Sequence, residues 1–297
     1  MTVHSATNNS SQAAIPPWPH KYVTVAGRSL LVVDHGPEST EPEHPAGVLF
    51  LIHGAHGNWH HWRANIKSLS RTHRVIVPDM PGFGLSDALP ESGLDELAQS
   101  LSGVADALSL PSVSLVGYSF GALVATTLAA ARPDLVKRLL LINPPGWRER
   151  SPQVMAAQVE AAMHNRTYGI RAALAFTLRR IMLRNHSVID EACLDVSEAA
   201  ARSLRLVTKD ISRSADLIKL LALVAVPWHV IFSEEDPYHC HWLDDRCSRL
   251  QALRGQTCTT VVAEAQHWVQ QDRPAALNRL IAQFADPGQR LEMPSKV

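Results

Sequence analysis

Short apolar runs and longer stretches with helical spacing alternate along most of this chain. The runs at 22–26 and 29–34 flank Gly27-Arg28 and predict a hairpin. Those at 48–52, 75–77, 113–116 and 139–142 are brief and continuously apolar, the pattern of strands covered on both faces. Between them, Leu94, Leu97, Ala98, Leu101, Val104, Ala105 and Leu108 recur at helical spacing. Ser92 is the expected cap of that helix, with Asp95 and Glu96 in its first turn. A second helix-forming run fills 120–131 and stops at Arg132-Pro133. Strands and helices in this order predict an α/β protein with a mostly parallel central sheet flanked by helices.

The rhythm breaks after Pro145. Residues 147–224 carry helical patterns at 153–163, 168–183, 189–206 and 215–223 and no strand, which predicts an all-helical insertion. Strands resume at 228–232 and 259–262, and a last helix covers 274–284. The expected organisation is a loose arm over 1–20, a core of 21–146 and 225–285, a helical cap of 147–224, and a frayed polar tail over 286–297. A polar turn is expected over 37–46.

Composition adds exclusions. Lys+Arg and Asp+Glu both number 28, so no net charge draws the chain to nucleic acid or to an anionic membrane. The apolar runs are too short to span a bilayer, and residues 1–20 lack the pattern of a secretory signal. A soluble cytoplasmic protein acting on a small molecule is expected, and a homodimer stays open. Cys193, Cys240, Cys247 and Cys258 form no C-x-x-C pair and read as reduced thiols. His60-His61 and His239-Cys240-His241 lack a partner set at zinc spacing, so neither metal nor cofactor is expected. Trp59 and Trp62 read as packing residues.

The chemistry concentrates in Gly117-Tyr118-Ser119-Phe120-Gly121, which a buried strand enters and a helix leaves. A turn that tight needs small flanking residues, and it leaves the serine hydroxyl clear at a helix N-terminus. His53-Gly54-Ala55 ends the 48–52 strand. Asp236 follows the 228–232 strand beside Glu234 and Glu235, and His267 follows the last strand. A serine needs a base to take its proton, an imidazole suits that task, and a carboxylate behind it fixes the tautomer.

These motifs, with Pro78-Asp79-Met80-Pro81-Gly82-Phe83-Gly84-Leu85-Ser86 and Ala265-Gln266-His267-Trp268, resemble the α/β-hydrolase fold family over residues 22–284. The resemblance implies Ser119 as nucleophile, His267 as general base and Asp236 as orienting acid. The family's other acid position holds the uncharged Asn143; Glu234 and Glu235 stay open for the role. It also implies an oxyanion hole from the backbone N–H groups of Ala55 and Phe120. His53, Gly54, Tyr118 and Trp268 are expected at the substrate pocket, and the Asp79 loop is expected to be structural.

A serine nucleophile excludes the family's aspartate-nucleophile branches. Ester hydrolysis is the first expectation. The second is carbon–carbon bond hydrolysis, since His267-Trp268-Val269-Gln270 is similar to the His-Trp-x-Gln of meta-cleavage product hydrolases, and the stretches 181–185 and 189–191 resemble their cap. Tyr118 replaces their usual Asn, Phe120-Gly121-Ala122 replaces Met-Gly-Gly, and their carboxylate-holding cap arginine has no assigned counterpart. A non-catalytic or slow-turnover receptor on the same fold is the reading of another class. The Ala-, Leu- and Met-rich cap predicts a mainly apolar pocket.

Overall fold

The computed structural model describes residues 15–37, 47–255, 258–286 and 294–297. Most of the expected arm, nearly all of the polar turn and 287–293 of the tail lie outside them.

Eight strands form one sheet: β1 (His20–Val25), β2 (Arg28–His35), β3 (Val48–Ile52), β4 (Arg74–Pro78), β5 (Val113–Tyr118), β6 (Val136–Ile142), β7 (Trp228–Ser233) and β8 (Thr259–Val262). Their spatial order is β1-β2-β4-β3-β5-β6-β7-β8. The β1–β2 and β2–β4 pairs are antiparallel, and every other pair is parallel. The mostly parallel sheet expected from the sequence is therefore present.

The helices are α1 (Ile66–Leu69), α2 (Leu94–Ala107), α3 (Phe120–Ala131), α4 (Pro152–Tyr168), α5 (Ile170–Thr177), α6 (Glu191–Arg202), α7 (Lys209–Ser214), α8 (Leu217–Leu221), α9 (Leu243–Arg254), α10 (Val269–Asp272) and α11 (Pro274–Ala285). Pleating sends alternate strand residues to two cores. Phe50, Ile52, Leu139 and Leu141 pack with Leu97, Leu101, Leu123 and Leu250 from α2, α3 and α9. Leu49, Leu51, Leu140 and Ile142 pack with Ile66, Leu277 and Ile281 from α1 and α11. Continuously apolar strands follow from this double coverage, each fully buried side chain contributing about 1.5–3 kcal/mol.

The differences from the sequence expectation have local causes. The α2 cap is Gly93, not Ser92; the Glu96 carboxylate accepts the Gly93 N–H at 2.9 Å. Helix α9 was not anticipated, because Leu243–Arg254 is mostly polar and buries only Arg246 and Leu250. The insertion is helical but more broken than the four expected segments. Gly169, at φ +85°, separates α4 from α5, and a π-helical turn, Leu178–Met182, continues α5. The stretch 189–206 ends early at Arg202, and α7 follows as a short polar helix. Of the tail expected to fray, residues 294–297 lie along β8: Val261 N–H donates to the Ser295 carbonyl, and Val297 N–H to that of Val261, both at 2.9 Å. Among the described residues, no helix is long and apolar enough to cross a membrane. The four cysteines are free thiols.

Candidate active site

Strand β5 is buried along its whole length and delivers Ser119 to the C-terminal edge of the sheet. Ser119 sits at φ +50°, ψ −124°, a strained conformation for a residue with a side chain. The surrounding chain leaves no room for neighbours with a Cβ. One on Gly117 would fall 2.6 Å from the Gly121 carbonyl oxygen, and one on Gly121 would fall 2.2 Å from that of His53. The two glycines are thus required by close backbone approach, and they press the strained turn between the β3 end and α3.

β8 and the loop after it bring His267 over this turn. His267 Nε2 lies 3.0 Å from Ser119 Oγ, and its Nδ1 lies 2.6 Å from Asp236 Oδ2. Asp236, wholly buried after β7, also accepts the Tyr238 N–H at 2.8 Å. Burial pushes its carboxyl up, but the imidazoles of His267 and His239 and these hydrogen bonds together hold it below the ordinary value. Glu234 and Glu235 turn outward, to Lys296 and Arg184 respectively. Asn143, on the rival acid position, is a tie. Its Nδ2 donates to Ser233 Oγ and to the His267 carbonyl, both at 2.9 Å, and its Oδ1 accepts the Ser233 N–H at 2.8 Å. An amide does this with both of its ends, as a carboxylate would not.

A cavity of about 1110 Å³ opens over Ser119. Ala55, Tyr118, Phe120, His267 and Trp268 stand on its wall. Two of the expected pocket residues do not. His53 is fully buried; its Nε2 accepts the Met80 N–H at 2.9 Å and its Nδ1 lies 2.8 Å from the Gly54 carbonyl. Gly54 stands behind Ala55, where a Cβ would come 3.1 Å from Ser119 Cβ. Both residues shape the loop from behind. The wall is mainly apolar, as the composition of the insertion implied, and it also carries Arg148, Arg150, Lys209, Arg213 and Arg246 beside Glu149.

The Asp79 loop is structural, as expected. Asp79 accepts the Trp59 N–H at 2.8 Å and the Leu85 N–H at 3.1 Å. Burial pushes its carboxyl up to about 7. Sequence reasoning missed three further groups. His61 packs against the loop that carries Gly54, and burial together with its histidine neighbours holds it well below the ordinary histidine value. Arg246, buried on polar α9, donates to the Tyr238 carbonyl at 2.8 Å and to His239. Asp272 accepts the N–H groups of Gln266, Arg184 and Asn185, tying the histidine loop to the insertion. None belongs to a local motif that singles it out.

Asp236, His239 and His267 bring donor atoms within 4.8 Å of one another. The 2.6 Å contact between Asp236 and His267 is that of a hydrogen bond. Two ligands of one tetrahedral zinc stand roughly 3.3 Å apart.

Known proteins agree with this architecture. A family model described as alpha/beta hydrolase fold matches residues 47–186. The chain is 23% identical to epoxide hydrolase 2 of Caenorhabditis elegans over 296 residues, 90% of this chain and 80% of that protein. It superposes on a meta-cleavage product hydrolase from Pseudomonas fluorescens with a TM-score of 0.70 and 22% identity, covering 91% of this chain and 98% of that one. A carboxylesterase from Bacillus subtilis matches with a TM-score of 0.72 and 20% identity over 94% of this chain and 95% of that one. With its eight-stranded sheet, its strained serine turn and its helical insertion between β6 and β7, this chain has the α/β-hydrolase fold, with a structural likeness to a meta-cleavage product hydrolase.

Proposed function

We propose that the chain is a serine hydrolase that cleaves a carboxylic ester or a related acyl substrate. The observation that carries this reading is the hydrogen-bonded series Asp236–His267–Ser119 on the wall of a cavity large enough for a small molecule. With Nδ1–H donated to Asp236, Nε2 of His267 is the free base that faces the hydroxyl. As Ser119 Oγ bonds to the substrate carbonyl carbon, its proton passes to Nε2 and the carbonyl electron pair moves onto oxygen. The N–H groups of Ala55 and Phe120 receive that oxyanion, each lowering the barrier by on the order of 3 kcal/mol. Collapse expels the alcohol, which takes the proton from His267. Water, deprotonated by the same imidazole, then releases the acid and restores Ser119.

A fluorophosphonate probe tests this. The protein is expected to be labelled at Ser119, and Ser119→Ala to lose both labelling and turnover of a nitrophenyl ester. Labelling that survives Ser119→Ala overturns the assignment.

A second reading, carbon–carbon bond hydrolysis of a diketone-type substrate, is favoured by cations at the cavity wall, Arg148, Arg150, Lys209 and Arg213 among them. They suit a substrate that carries its own carboxylate. Parallel assays of nitrophenyl esters and a dienoate diketone separate the two. Turnover of the diketone above that of unactivated esters selects the second reading.

A further inference from the structure

His61 lies on the 3-10 turn Trp59–Trp62, seven residues beyond Gly54. Its Nδ1 accepts the Gly54 N–H at 3.1 Å. Its ring stands edge-on to Tyr118 at 5.3 Å and to Trp268 at 5.1 Å, and its carbonyl accepts the Trp268 indole N–H at 3.0 Å. A Cβ on Gly57 would fall 2.1 Å from the imidazole, so glycine there makes room for the ring. One side chain thus touches the loop that carries Ala55, the residue before Ser119 and the residue after His267. On the far side of Gly54, His53 Nδ1 holds the Gly54 carbonyl at 2.8 Å. A trans peptide is planar, so fixing the Gly54 carbonyl fixes the opposite direction of the Ala55 N–H.

We infer that His61 is a positioning residue. With His53 it grips Gly54 by its N–H and its carbonyl, and so aims the Ala55 N–H at the oxyanion. This rests on the reading of Ser119 as nucleophile. His61 takes no proton from the substrate; its part is to keep Nδ1 as an acceptor, which leaves the proton of the neutral ring on Nε2.

The test compares His61→Leu, which lacks an acceptor, with His61→Asn, whose amide oxygen can stand near Nδ1. The readouts are kcat and KM on a nitrophenyl ester, the rate of phosphonate labelling, and hydrogen exchange at the Gly54 amide. The Leu variant is expected to lose roughly ten- to hundredfold in kcat and in labelling rate with KM within about threefold, and the Asn variant to stay within about fivefold of the unaltered protein. Gly54 is expected to be protected in the unaltered protein and the Asn variant, and to exchange freely in the Leu variant. A Leu variant that keeps its kcat overturns the inference, as does an equal loss in both variants. If the Leu variant does not fold, a Gly54 amide that exchanges freely in the unaltered protein overturns it. Failure of the unaltered protein to label overturns the nucleophile reading, whereas normal labelling with an unaffected Leu variant overturns the clamp alone.

Discussion

On one side of the cavity, the residues around Ser119 belong to loops whose polar groups are closed on one another. Asn143 ties β7 to the His267 loop, Asp79 ties the Trp59 turn to the loop before α2, and His61 ties the Gly54 loop to Trp268. On the other side, α4 buries only Val154 and Ala157 and leaves Met155, Val159 and Met163 exposed. The first wall is held by buried hydrogen bonds, each of which leaves an unsatisfied group if broken. The second wall is a largely exposed helix, and its exposed side chains change at little cost.

The largest effect is expected at Asp236. Asp236→Asn should lower kcat by roughly 10³–10⁴ while leaving the fold intact, since an amide presents the wrong group to His267 Nδ1. Steady-state kinetics with circular dichroism check this, and a loss under tenfold would move the orienting role to another acid.

Acid should act next, and on the closed wall. Burial holds His53 and His229 down to about 4, His60 and His239 to about 3, and His61 well below its ordinary value. Between those values and 6.5, the unfolded chain binds protons that the folded chain refuses. Stability is therefore full above about pH 6.5 and falls as pH drops. Asp79, raised to about 7, works the other way: its proton stays bound in the folded chain from 3.8 upward, so its contribution declines as pH rises to 7. The histidines outnumber it, and the net loss should be roughly 5 kcal/mol per pH unit near pH 5.5. Urea unfolding at several pH values measures this; a flat profile between pH 6.5 and 5 would contradict the buried neutral histidines.

Where the two walls meet, Asp272→Ala removes the acceptor for three backbone N–H groups. A kcat loss of about tenfold with a lowered Tm is expected, at roughly 1–3 kcal/mol for the part-buried Gln266 N–H and less for the exposed N–H groups of Arg184 and Asn185. An unchanged Tm would show that the insertion is held by other contacts. The smallest effect belongs to the open wall: Met155→Ala and Val159→Ser should change stability by less than about 0.5 kcal/mol while shifting KM among acyl chains of different length. A large drop in Tm would show that α4 is held more tightly than its exposure suggests.

The strands were legible because each is a short apolar run, and α3 because it leaves the serine turn directly. α9 and α7 were hidden because their polar sequences bury too little to impose a period. Ser119, Asp236 and His267 were singled out by residue type, by position after a strand and by the resemblance to a known family, with Glu234 and Glu235 left beside Asp236. Asn143 was visible only as the absence of a charge, and its amide ties required the fold. Arg246 offered no signal, being one arginine in a charged helix.

The sequence by itself determined the strand order along the chain and the glycine-flanked serine, because apolar periodicity and tight-turn chemistry act between near neighbours. Only the tertiary structure decided which carboxylate faces His267, that His53 holds the loop from behind rather than facing the pocket, and that His61 grips Gly54. Those outcomes depend on directions set by strand register and loop closure between residues far apart in the chain, and residue type carries no record of direction.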